Sequence, residues 1–231
     1  MSFLLKKMLL LLSIALVIVT FPQKSYGEEQ IVFSGSQANA FDRAMEIEDL
    51  SKRTLIYGNF SVKGQRDFFQ VKAQKGETVN IEMAIPQVDA LNTFRPSFFL
   101  VGPDLPTYDE LPFFLPLSSD YGAYKVMPSE QEKDYLDPMT GNLYWITQAF
   151  QYPITTTGDY YIIVYDEKKQ EGKYLLKIGQ KEEKYFYQAL LQPINFLAFR
   201  SWYNPLQVLI PLALIAMAGL IFIINIIKRK H

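Results

Sequence analysis

The chain has 231 residues, 49% of them hydrophobic and 20% charged, with no Cys, a single His at position 231 and a formal net charge of −1. Without a thiol there is no disulfide framework, no thiolate nucleophile, no Cys-based zinc cluster and no lipidated N-terminal Cys. A lone imidazole excludes a Ser-His-Asp triad and a multi-His metal site, and a near-neutral charge is not the profile of a nucleic-acid binder.

The apolar residues concentrate first at residues 8–20 (MLLLLSIALVIVT), preceded by Lys6 and Lys7. As a helix this run rises only roughly 20 Å, short of a bilayer core of about 30 Å. Pro22 follows, and Ser25 and Gly27 stand three and one positions before Glu28. The pattern predicts a secretory signal peptide over residues 1–27, cleaved after Gly27; an uncleaved signal anchor is the alternative. Residues 28–53 carry few apolar positions and read as an irregular lead-in.

From Thr54 the texture becomes β. The run TLIYGNF (54–60) is β-rich and is followed by the turn residues Lys63 and Gly64. DFFQVKA (67–73) sets Phe69, Val71 and Ala73 against Phe68, Gln70 and Lys72, and TVNIEMA (78–84) sets Val79, Ile81 and Met83 against Asn80 and Glu82. Alternating runs joined by the short turn at Lys75, Gly76 and Glu77 predict an antiparallel hairpin with one buried face. RPSFFLV (95–101) reads as a strand ended by Gly102, Pro103 and Asp104, and the proline-spaced stretch 106–116 as an extended edge or loop. Residues 118–141 are polar, with no apolar period, and read as a long acidic loop. Further strands fall at 144–150 and 158–165 (GDYYIIVY), and 172–178 (GKYLLKI) reads as the return strand of a last hairpin. Seven or eight short strands with turn signals between them predict an all-β antiparallel sandwich over residues 54–180. Residues 181–206 form a connector, with a short helix expected from 182 to 191.

The second apolar concentration, residues 207–227, is long enough to cross a bilayer, with Trp202 and Tyr203 before it and Lys228, Arg229 and Lys230 after it. This predicts a single-pass protein of the cell membrane, its sandwich extracytoplasmic and residues 228–231 cytoplasmic. Pro211 is expected within the first turn of that helix, where a missing N–H does no harm. Residues 28–204 hold all 24 acidic residues and 17 of the 23 basic ones, a net charge of −7. That acidic surface suits solubility and argues against anionic partners such as nucleic acid.

The order of these pieces resembles the bacterial pre-peptidase C-terminal domain and related jelly-roll modules. The matching residues are Asp67-Phe68-Phe69, then Lys75-Gly76-Glu77-Thr78-Val79, then Ser97 to Asp104. The resemblance closes on Thr157-Gly158-Asp159-Tyr160-Tyr161 with Ile162, Ile163 and Val164, followed by Gly172-Lys173-Tyr174-Leu175-Leu176-Lys177-Ile178. It covers roughly residues 60–179, and it implies a non-catalytic binding or accessory module. The acidic stretch 118–141 and the membrane anchor depart from the secreted-protease setting of such modules.

Within the acidic stretch, Asp120, Asp134, Asp137 and Asn142 are hard oxygen ligands that could hold Ca²⁺ as a cofactor, against the plainer reading of a solvated loop. Tyr121, Tyr124, Tyr135, Tyr144 and Trp145, with Tyr108, Phe113, Phe114 and Tyr152 nearby, could form an aromatic platform for a sugar or protein, against the plainer reading of core packing. Glu130, Asp134 and Asp137 are the carboxylates a hydrolase would use, while Ser118 and Ser119 lack a His or a Ser-x-x-Lys partner. Asn59-Phe60-Ser61 fits an N-glycosylation acceptor. The leading expectation is a membrane-anchored, non-catalytic binding or accessory module, with a surface glycan or another membrane protein as partner. A structural subunit of a membrane complex and a membrane-anchored hydrolase are the rivals.

Overall fold

The computed structural model describes residues 29–33, 38–108, 120–137, 140–180 and 201–228. The expected signal peptide, Phe113, Phe114 and the expected connector helix at 182–191 lie outside the described residues. The strands are β1 (Glu29–Val32), β2 (Met45–Ile47), β3 (Thr54–Phe60), β4 (Arg66–Ala73), β5 (Thr78–Pro86), β6 (Ser97–Pro103), β7 (Tyr121–Val126), β8 (Lys133–Leu136), β9 (Leu143–Pro153), β10 (Gly158–Tyr165) and β11 (Gly172–Ile178). They form a six-stranded sheet in the order β1-β3-β11-β5-β9-β8 and a five-stranded sheet in the order β2-β4-β10-β6-β7. The chain is thus an all-β sandwich. The facing sets β3-β11-β5-β9 and β4-β10-β6-β7 have the interleaved order of a jelly roll.

Three sequence expectations are corrected. The runs at 67–73 and 78–84 do not form a hairpin: β4 pairs with β10 and with β2, whereas β5 pairs with β11 and β9 in the other sheet. The closing pair β10 and β11 is split between the sheets in the same way. An arch between sheets and a hairpin within one sheet both leave each strand one inward face, so alternation cannot separate them. The lead-in is not irregular, because β1 runs parallel to β3 and β2 parallel to β4, adding one edge strand to each sheet. Strands of three and four residues are too short to carry a period.

The stretch read as one acidic loop holds β7, which closes the five-stranded sheet against β6, and β8, which forms a true hairpin with β9. Both are edge strands, and charged residues on edges are how sheets avoid pairing with other chains. Their polarity therefore reflects position, not lack of structure.

The core lies between the sheets. Ile56, Phe60, Phe69, Val71, Val79, Ile81, Met83, Phe98, Leu100, Ile162, Val164, Leu176 and Ile178 are all buried there. Two glycines make room for tyrosines in this layer. Gly58 on β3 stands opposite Tyr174 on β11, and a Cβ at Gly58 would meet the Tyr174 ring at 2.1 Å. Gly102 on β6 lies under Tyr160 in the same manner, at 2.2 Å.

Tyr174 also ties the sheets together. Its hydroxyl donates to Asp67 Oδ2 on β4 at 2.5 Å, and Gln65 Nε2 donates to Asp67 Oδ1 at 2.9 Å. Burial holds the Asp67 carboxyl at a pKa of about 6, above its usual 3.8, even though both hydrogen bonds favour the charged form.

The helix α1 (Leu206–Lys228), described by itself, runs 23 residues. Asn204 Oδ1 accepts from the Leu206 N–H at 3.1 Å at its start. Pro211 sits in the second turn rather than the first, because the helix begins at 206, so the bond to the residue 207 carbonyl is missing. Side chains at 207, 222, 223 and 225–228 lie outside the described residues. Among the described ones alone, no stretch is long and apolar enough to cross a membrane.

Two outcomes follow. Gly102→Ala drives a methyl into the Tyr160 ring and should cost about 1–3 kcal/mol, read as a lower urea midpoint. Asp67 is protonated more readily folded than unfolded, so its contribution to stability is present below pH about 4 and lost as pH rises through about 6. Asp67→Asn should therefore gain stability relative to the parent protein, by up to about 3 kcal/mol, as unfolding is measured from pH 4 to pH 7.

Candidate functional site

The outer face of the six-stranded sheet carries unusual burial for a surface. Leu55 and Tyr57 on β3, Leu175 and Lys177 on β11, Ala84 on β5 and Tyr144 on β9 point away from the core, yet all are buried. Part of the cover comes from the β8–β9 hairpin, which curls over this face. It places Tyr135 6.5 Å from Tyr144, centroid to centroid, and the Lys177 ammonium 3.2 Å from the centre of the Tyr135 ring. The Tyr57 hydroxyl donates to Asp137 at 3.1 and 3.2 Å. Burial first, and the Asp137 charge second, push the Tyr57 phenol well above its ordinary pKa, so it remains a donor.

Beside this cluster lies a recess of about 300 Å³ at the end of the sheet where β11 leaves it. Its lining includes Arg53, Asn80, Glu82, Ala149, Gln151 and Lys177. Glu82 is opposite Lys177 across β5 and β11, and Asn80 is opposite Gln151 across β5 and β9. Glu82 Oε2 lies 3.3 Å from Lys177 Nζ and 3.8 Å from an Arg53 guanidinium nitrogen. Asn80 is 8% exposed. Its Nδ2 donates to the Thr78 carbonyl at 3.0 Å, and its buried Oδ1 has no hydrogen-bond partner. An orphaned acceptor of this kind costs about 1–3 kcal/mol.

The residues singled out from the sequence are dispersed. Asp137 is buried under Tyr57, and its backbone joins it to the β8–β9 turn, with Asp137 N–H donating to the Asn142 carbonyl at 2.9 Å. Asp134 is on the opposite side of β8 and accepts from Gln87 Nε2 at 2.6 Å. Asp120 precedes β7 in the five-stranded sheet. Among the described residues no group of three or more His, Cys, Asp or Glu could hold a metal ion.

The aromatic residues likewise fall in separate places. Tyr135 and Tyr144 belong to the outer cluster just described. Trp145 packs at the sandwich rim beneath Arg95, whose guanidinium carbon is 5.0 Å from its ring centre and which is paired with Glu132. Tyr121 and Tyr108 pack on the outer face of the five-stranded sheet with Phe68, Phe99 and Ile163. Tyr124 lies at the open edge of the sandwich, 5.1 Å from Phe150 and 6.4 Å from Tyr152. Asn59 of the glycosylation pattern is on β3, and Gln65 Nε2 donates to its carbonyl.

Sequence reasoning missed the recess. Asn80 and Glu82 read as the side of an alternating strand opposite Val79, Ile81 and Met83, and Lys177 only as part of the return strand GKYLLKI. The one available signal was a Lys between apolar neighbours in a strand.

No family model matches the chain, and no curated protein does. Among solved structures it is similar to a periplasmic inhibitor of g-type lysozyme from Aeromonas hydrophila at 9% identity and TM-score 0.34, covering 66% of this chain and 96% of that one. It is similar to the pre-peptidase C-terminal domain of a Bacillus anthracis collagenase at 15% identity and TM-score 0.31, covering 58% and 93%. A surface-associated copper-binding protein of Methylomicrobium album matches at 10% identity and TM-score 0.30, covering 66% and 98%. At these scores the likenesses carry no argument, and the assignment to the β-sandwich class rests on the strand order itself.

Tyr57→Phe removes the donor facing the buried Asp137 carboxylate. It should cost about 1.5–3 kcal/mol, measured as the change in free energy of chemical unfolding.

Proposed function

We propose that the chain is a non-catalytic binding or accessory module, held at a membrane by α1, with the outer face of the six-stranded sheet as its working surface. The observation that carries the non-catalytic reading is the placement of the acidic residues. Glycoside hydrolysis, the chemistry an acidic loop would offer, needs two carboxylates across one cleft. Here Asp137 is buried beneath Tyr57 on one side of β8, while Asp134 is exposed on the other side and bonded to Gln87. Glu132 is engaged with Arg95, and Glu130 is exposed in the loop before β8.

Membrane attachment is supported by α1. Leu209, Ile210, Leu212, Leu214, Ile215, Met217, Leu220 and Ile221 are all exposed, and they point in every direction around the helix. A helix apolar on all sides is stable in lipid or inside a protein core, not in water. Read with the sequence at the positions whose side chains lie outside the described residues, its 23 residues form an apolar run about 35 Å long, the length of a span. Cleavage of residues 1–27 and an extracytoplasmic sandwich complete the reading.

Full-length protein should remain in the membrane fraction through an alkaline carbonate wash, and a variant with Leu214→Lys and Met217→Lys should be released. Release of the parent protein would remove the anchor from this reading. A turnover activity abolished by Glu130→Gln with Asp134→Asn would remove the non-catalytic part.

A further inference from the structure

The sandwich carries an aromatic patch where its two sheets end. β7 is the last strand of the five-stranded sheet, and its inward side chains meet those of β9 at the rim of the core. Pairing with Leu100 turns Tyr124 to the inward side of β7, yet the residue is 42% exposed. Phe150 and Tyr152, two residues apart on β9, face it and are half-buried against the core. Their ring planes lie within 15° of parallel, with centroids 6.3 Å apart. Tyr124 is 5.1 Å from the Phe150 ring and 6.4 Å from the Tyr152 ring. The three rings thus form one continuous surface. The Tyr124 and Tyr152 hydroxyls have no hydrogen-bond partner among the described residues.

The surroundings select the ligand. A partner strand would need the free edge of β7. That edge is already used at Ala123, whose N–H donates to the Pro106 carbonyl at 2.9 Å. Lys125, further along, is paired with Glu167, and charges of this kind keep edges from pairing. An anionic partner would meet a domain with a net charge of −7 over residues 28–204. A lipid tail would leave two phenols facing hydrocarbon without a partner. A sugar meets none of these obstacles. The C–H groups on one face of its ring pack on the negative faces of aromatic rings, and its hydroxyls pair with the phenols. We propose that Tyr124, Phe150 and Tyr152 form a platform for a neutral pyranose whose ring substituents are equatorial, the arrangement that leaves a flat C–H face. The platform is distinct from the outer face of the six-stranded sheet and goes beyond the reading given to that face.

The test is calorimetric titration of the full-length protein, in micelles of a detergent without a sugar headgroup. Cellohexaose and chitohexaose are the neutral probes, and hexagalacturonate is the anionic one. Saturable binding of at least one neutral probe is expected, with hexagalacturonate at least tenfold weaker. Tyr124→Ala should weaken that binding roughly tenfold, the loss of one stacked ring, and Tyr124→Phe should weaken it less, with circular dichroism unchanged for both. Tyr152→Ala should match Tyr124→Ala; if it fails to fold, the two Tyr124 variants decide the matter. No saturable binding of either neutral probe, equal binding by hexagalacturonate, or binding unaffected by Tyr124→Ala overturns the platform and leaves the binding-module reading in place. Self-association of the parent protein that Tyr124→Ala abolishes, with no sugar bound, assigns the rim to a second copy of the chain and also overturns the proposal. Conversely, binding followed by shortening of a probe, seen by chromatography of the mixture, overturns the non-catalytic reading and leaves the platform.

Discussion

A carboxylate buried between two sheets constrains this fold. Asp67 points into an interior otherwise filled by Phe69, Val71, Ile56 and Leu176, and it is fully buried. It is tolerated because the Tyr174 hydroxyl reaches it from the opposite sheet and Gln65 reaches it from the turn before β4. Tyr174 can lie flat enough to do so only because β3 offers Gly58 beneath its ring. Three strands, β3, β4 and β11, are thereby fixed relative to one another through one side chain.

That constraint extends to the outer surface. β11 sits between β3 and β5, so Tyr174 facing inward sets Lys177, three residues on, facing outward against Glu82. The cation is then held by the Glu82 carboxylate and by the face of the Tyr135 ring from β8. The irregularity in the β5–β9 register between Met83 and Ala84 supports the curl of the β8–β9 hairpin over the sheet, since it leaves Thr147 as an extra residue and reverses which side chains of β9 face out. Phe150 therefore packs with the core, while Tyr144 lies on the outer cluster.

Much of the β content was legible in the chain. The runs 54–60, 67–73, 78–84 and 158–165 each became a strand, and the two that alternate, 67–73 and 78–84, turned Phe69, Val71, Val79, Ile81 and Met83 inward as expected. Partners were not legible, because β4 with β5 and β10 with β11 obey the same alternation whether they pair or arch between sheets. Edge strands were hidden for a different reason: β7 and β8 are short and lie at sheet edges amid charged residues, so the stretch resembled a loop. The candidate residues fared similarly. Asp134 and Asp137 are close in sequence, but the pleat of β8 sends them to opposite sides.

The sequence by itself determined the β class, the acidic middle, the apolar segments at either end and the absence of thiol and imidazole chemistry, since all of these depend only on composition and local period. Tertiary structure alone decided which strands meet, that Asp67 and Asp137 are buried against tyrosines, and that Asn80, Glu82, Lys177 and Arg53 line one recess. Those outcomes depend on contacts between residues more than a hundred positions apart, 107 for Asp67 and Tyr174, and no local pattern records them.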